Sequence, residues 1–208
     1  MDPMNLGISM TPMEIAKERI RYWRSGLLNL SLLRLKELPE LPAGLTELYC
    51  QCNQLTRLPD TLPAALTVLH CYNNQLTTLP ETLPAALTEL HCFNNKLTTL
   101  HDTLPAGLKK LYCHYNQLTR LPETLPSGLT LLCCYENKLT TLPDTLPAGL
   151  TELYCHRNQL TRLPETLPTG LIKLCCNNNK LTTLPDTLPA GLTLLYCHSN
   201  NFPDKEYE

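Results

Sequence analysis

The chain repeats itself every 21 residues, and no other property narrows its possible folds as far. Full units begin at Leu45, Leu66, Leu87, Leu108, Leu129, Leu150 and Leu171, and an incomplete one begins at Leu192. The unit reads L-T-x-L-x-C-x-x-N-x-L-T-x-L-P-[DE]-T-L-P-x-[AG]. Such a unit is too short to bury its own apolar side chains, so the units must stack into a solenoid with one continuous core. Within x-L-x-C-x, successive side chains take opposite faces of a strand. Leu48 and Cys50 therefore point inward, and Tyr49 and Gln51 point out. Asn53, Asn74, Asn95, Asn116, Asn137, Asn158, Asn179 and Asn200 share the ninth position, where the chain leaves the strand. A buried Asn there bonds backbone groups of its own and neighbouring turns. The Leu-Pro half excludes helix interior, because proline lacks an N–H and disfavours helix at the residue before it. Extended, polyproline-like backbone is expected on that side, with Leu58 and Leu62 turned inward.

The core of the unit, LxxLxCxxNxL, is identified as the leucine-rich repeat signature with Cys in place of one Leu. The expected fold is a leucine-rich repeat solenoid with a parallel β-sheet on the concave face and an extended convex side. An N-terminal α-helical cap closes one end. Thr11-Pro12-Met13-Glu14 joins an N-cap, Pro at the first helical position and an acid three residues on. Ile15, Ala16, Ile20 and Trp23 then share one helical face, ending before Gly26. From Leu28 to Pro39 the Leu spacing returns, but Leu33 stands where Asn belongs, as in a degenerate first coil. The expected divisions are an N-terminal arm and capping helix at 1–26, repeats at 27–202 and a short acidic tail at 203–208. The last strand, near Leu192 to Cys197, is expected to leave an open parallel edge that permits a weak dimer.

The net charge of -2 offers no field of one sign for nucleic acid or a membrane surface. No apolar run approaches the ~20 residues of a bilayer span. The first ten residues carry an acid and no basic cluster, unlike a Sec signal peptide. Eight of the eleven cysteines (Cys50, Cys71, Cys92, Cys113, Cys134, Cys155, Cys176, Cys197) share the inward sixth position. Side chains in such a row run parallel and do not converge on a metal ion, so they read as small buried hydrophobes. A column of thiols implies a reducing cytosol. Cys133 and Cys175 face the concave side two strands apart, too far for a disulfide.

Variation is concentrated at the outward third, fifth and seventh positions. The candidate partner-binding residues are Tyr49, His70, Tyr72, His91, Phe93, Tyr112, His114, Tyr135, Tyr154, His156, Tyr196 and His198. Tyr offers a large, rigid contact area with a polar tip. The same rings are also placed to stack on one another along a parallel sheet. The Tyr/His pairs at 112/114, 154/156 and 196/198 recur every 42 residues, the mark of a duplicated two-unit block. His70 and His91, with Glu89 on the same strand as His91, form a metal-capable set and an alternative reading. No nucleophile, base and orienting group are brought together, so no enzyme and no cofactor are expected.

Stretches such as LPDTLPAGLTELYCHRNQLTRLP make the region from Leu28 to Phe202 similar to bacterial effector-type repeats. That group includes the Yersinia outer protein M and Shigella invasion-plasmid antigen H families. The helix EIAKERIRYWRSG resembles their N-terminal caps. The resemblance implies secretion by a bacterium into a host cell and a host protein as partner. Some relatives carry a catalytic domain after the repeats; eight residues follow Asn200 here, and none is expected. The acidic end, Asp204 to Glu208, resembles the Glu-rich signals of Legionella type IV effectors. The alternative to a binding module is a structural or regularised repeat scaffold without a specific ligand.

Overall fold

The computed structural model describes residues 10–203; the opening segment and the acidic tail, with the readings made of them, lie outside the described residues. One helix, α1 (Pro12–Tyr22), precedes nine strands. These are β1 (Gly26–Asn29), β2 (Leu45–Tyr49), β3 (Val68–His70), β4 (Glu89–His91), β5 (Lys110–Tyr112), β6 (Leu131–Cys133), β7 (Glu152–Tyr154), β8 (Lys173–Cys175) and β9 (Leu194–Tyr196). They form one sheet in chain order, every neighbouring pair parallel. From β2 onward each residue pairs with its counterpart 21 residues later, as in Leu69 with Leu90. Leu66, Leu69, Cys71 and Leu76 of one unit are fully buried, and their counterparts continue the core in both directions. Each buried Leu contributes about 1.5–3 kcal/mol, and the stacking of units makes that burial possible.

The Asn column joins the units. Asn95 Nδ2 donates to the carbonyls of Cys71 and Cys92, both at 3.1 Å, while Oδ1 accepts from Leu76 N–H at 2.9 Å. A single side chain thus satisfies backbone groups of its own coil and of the preceding one. The residue before each Asn takes a left-handed conformation, from Cys52 (φ 55°) to Ser199 (φ 55°). Asn fills that position at 73, 94 and 178, where its short polar side chain tolerates positive φ. The degenerate first coil is held from outside: Asn53 Oδ1 accepts from Leu33 N–H (3.1 Å) and Leu35 N–H (2.9 Å).

The convex half is not uniformly extended. Each Pro-x-x-Leu closes as a tight turn, the Leu66 N–H donating to the Pro63 carbonyl at 3.0 Å. Proline stands at the first position of this turn and supplies the accepting carbonyl, and the two central residues are small, as Ala64 and Ala65 are. Leu58 and Leu62 turn inward, 4% and 5% exposed.

The cap forms as its residues dictate. Thr11 Oγ1 accepts from Glu14 N–H, and Thr11 N–H donates to Glu14 Oε2 at 2.7 Å. Ala16 is fully buried, and Ile20 and Trp23 pack against the solenoid core. Arg19 Nη1 donates to the Asn29 carbonyl at 2.8 Å, fixing α1 to β1. Gly26, in the left-handed region (φ 74°), turns the chain from cap to sheet. No helix among the described residues is long and apolar enough to cross a membrane.

Candidate partner-binding face

The strands place the third, fifth and seventh positions of every unit on one open face. Its aromatic residues form two stacks. At the fifth position Tyr49, His70, His91 and Tyr112 follow one another with ring centroids 4.3, 4.1 and 4.2 Å apart. At the seventh, Tyr72, Phe93, His114, Tyr135 and His156 form a continuous column, each step 4.3 Å and within 15° of parallel. The strand spacing of about 4.8 Å sets this geometry: rings in register on parallel strands meet nearly face to face, except His70 and His91, which are tilted by 49°. Each contact contributes roughly 0.5–1.5 kcal/mol beyond burial. Nine of the twelve candidate residues therefore support one another.

Burial sets the electrostatics. It pushes the His70 and His114 pKa values down to about 4, with neighbouring histidines adding to the effect. His156 is lowered by burial and by Arg157, and His91 by burial, with Glu89 opposing. The Nδ1 atoms of His114 and His156 are buried with no hydrogen-bond partner. Both rings are thus uncharged near neutrality. At the third position charges pair across strands: Glu89 with Lys110 at 3.1 Å and Glu152 with Lys173 at 3.2 Å.

The stacks end in the C-terminal half. Cys133 and Cys175 interrupt the fifth position, and Asn177 follows His156 at the seventh. Tyr154 and Tyr196 consequently stand two strand spacings apart, roughly 10 Å, with only a thiol between them. Tyr154 Oη donates to Glu152 Oε2 at 2.7 Å, and Tyr196 is 50% exposed. Between the rings lies an open groove of about 760 Å³, lined also by Tyr135, His156, Arg157 and His198. Sequence reasoning missed three of its residues: Tyr115, Glu136 and Arg157, at the eighth position. Their signal was available, because that position varies among the units, from Cys52 and Asn73 to Tyr115, Glu136, Arg157 and Ser199. Larger concavities, about 940 Å³ each, lie between Leu-Pro corners on the convex side. They recur with the repeat, and their arginines are already paired, Arg120 with Asp102 and Arg162 with Asp144.

All eleven cysteines are free thiols. Desolvation pushes Cys50 and Cys92 up to about 12 and Cys113, Cys134 and Cys155 well above the usual range. Cys133 and Cys175 are also buried, 7% and 5% exposed, in contrast to Cys52, which is partly open.

No family model and no curated protein matches the sequence. Solved structures do. The chain is similar to YopM, a leucine-rich effector protein from Yersinia pestis, at 35% identity and a TM-score of 0.81. That match covers 90% of this chain and 54% of YopM, so the chain spans about half of that protein. A Shigella effector leucine-rich repeat domain is 33% identical with a TM-score of 0.72; 83% of this chain and 79% of that domain are covered. The functional domain of InlJ from Listeria monocytogenes, described as including a cysteine ladder, is 31% identical with a TM-score of 0.74 over 85% of this chain and 44% of that one. At this identity and coverage, and with the same solenoid, the chain belongs to the leucine-rich repeat family, with repeats of the bacterial effector type.

Proposed function

We propose that the protein is a non-enzymatic binding module, a bacterial effector that engages a host protein through its concave face. The observation carrying this reading is the open groove where the aromatic stacks stop. Tyr154 and Tyr196 line it, Tyr196 half-exposed, and Cys133, Cys175 and Asn177 leave room between them. A partner side chain inserted beside either tyrosine would extend the stack that its neighbours already form. The stacked rings of the N-terminal half give that site a rigid platform, which limits the entropy lost on binding. The face is open along its length, unlike the concave pockets that reactions need. Reduced thiols throughout the core suit the cytosol of a host cell. The open edge of β9 is where a second copy would add a strand to make a weak dimer.

Capture from eukaryotic host lysate tests the reading, with wild type compared to a Tyr154→Ala/Tyr196→Ala variant. Loss of a partner by the variant is expected. Equal recovery of every captured protein by both forms would remove the concave face from the account.

A further inference from the structure

His70 and His91 end adjacent strands and pair directly in register, with ring centroids 4.1 Å apart. Glu89 shares the strand and the face of His91, and its Oε1 lies 2.6 Å from His91 Nε2. One ligand atom from each of the three lies within 4.8 Å of the others, and no other such group occurs among the described residues. Ligands about 2.1 Å from a tetrahedral ion are about 3.4 Å apart. That value falls between the 2.6 Å His91–Glu89 contact and the 4.8 Å outer limit of the set, so closing it on an ion asks the ligand atoms to move by about an ångström.

We propose that His70, Glu89 and His91 form a binding site for a divalent transition-metal ion of the Zn²⁺, Co²⁺ or Ni²⁺ class. Two imidazoles and one carboxylate suit these ions and not Ca²⁺ or Mg²⁺, which take oxygen ligands. The arrangement has the supporting contacts that a metal site needs. Lys110 Nζ holds Glu89 Oε2 at 3.1 Å, which orients the carboxylate and leaves Oε1 to the ion. The His70 ring is fixed by stacking on Tyr49 at 4.3 Å and 7°. The third position of β3, beside His70, carries Val68 and so brings no competing ammonium. Elsewhere on the face histidines are separated, as Tyr135 separates His114 from His156. Three protein ligands leave at least one coordination position toward the concave side for water or for a donor group of another molecule. The site requires no partner, so it stands apart from the binding reading above.

The test uses the full chain, reduced and stripped by chelator, titrated with ZnCl₂ by calorimetry and with CoCl₂ by visible absorption. One equivalent is expected to bind. His70→Phe and His91→Phe keep a ring in each stack while removing a ligand, and each is expected to weaken binding at least tenfold. His156→Phe is expected to leave it unchanged. Circular dichroism and thermal unfolding of each variant establish that the solenoid persists. Absence of binding by the wild type, undiminished binding by the His70→Phe/His91→Phe double variant, or a thiolate-to-cobalt charge-transfer band would each overturn the proposal.

Discussion

Replacing Asn116 by Ala tests what joins the units. Asn116 lies mid-array and is 9% exposed. Its Oδ1 accepts from Leu97 N–H at 2.9 Å, and its Nδ2 donates to the carbonyls of Cys92 and Cys113 at 3.1 Å and His114 at 3.2 Å. The losses are unequal. Leu97 N–H keeps no partner, and an orphaned buried donor costs about 1–3 kcal/mol. The carbonyls each keep one: Asn95 for Cys92, Asn137 for Cys113 and Asn94 N–H for His114. Those three losses add roughly 0.5 kcal/mol each, and the total is about 3 kcal/mol. This is a large share of the 5–15 kcal/mol that ordinarily holds a domain together. Urea unfolding followed by circular dichroism reads the change as a lower midpoint at constant slope. The control is Asn94→Gly: Asn94 is exposed and left-handed (φ 50°), a conformation that Gly takes freely, and the one side-chain hydrogen bond it loses, Nδ2 to Asn73 Oδ1 at 2.7 Å, is solvent-exposed. Its change should stay within about 0.5 kcal/mol. Equal effects at 116 and 94 would refute the view that the Asn column couples the coils.

Two further outcomes follow from burial. In the native protein only Cys52 should react quickly with a thiol reagent at pH 8, whereas all eleven cysteines should react in urea; fast native labelling of Cys113 or Cys155 would contradict the buried column. His114 is held near 4 in the fold against 6.5 unfolded, so the unfolded chain binds the extra proton between those values. Its contribution is intact above pH 6.5 and is lost as pH falls toward 4, by about 3 kcal/mol. His114→Phe, which keeps the ring between Phe93 and Tyr135, should flatten that loss in acid unfolding curves, leaving the part due to His70, His91 and His156. An unchanged pH profile would show that His114 is not desolvated.

The solenoid was legible because one rule, applied every 21 residues, decides which side chains are inside. Leu48, Cys50 and Asn53 carry that rule at each repeat, and the capping box at Thr11 and Glu14 is a local hydrogen-bond pattern. The convex turns were missed because Leu-Pro was weighed for what proline forbids, not for the Pro-x-x-Leu turn that it initiates. The face was harder to read for a different reason. Spacing puts Tyr49 and Tyr196 in equivalent positions, yet one is stacked on His70 and the other stands half in solvent. That difference depends on the neighbouring units and not on the tyrosine itself: Tyr49 stacks on the ring of the following strand, whereas Tyr196 lies on the last strand, with Cys175 before it. Tyr115, Glu136 and Arg157, which also line the groove, are themselves the left-handed residues of their units.

The proposed binding surface is the C-terminal half of the concave face. Once a partner has been captured and purified, its Kd should be measured for three forms: wild type, Tyr154→Ala/Tyr196→Ala, and a convex-side Arg120→Ala/Arg162→Ala control. Aromatic anchors at an interface are worth about 2 kcal/mol or more each, so losing both should weaken binding by several hundred-fold, and losing one by about 30-fold. The convex control should match the wild type. A partner lost by the convex control and retained by the concave variant would contradict the account.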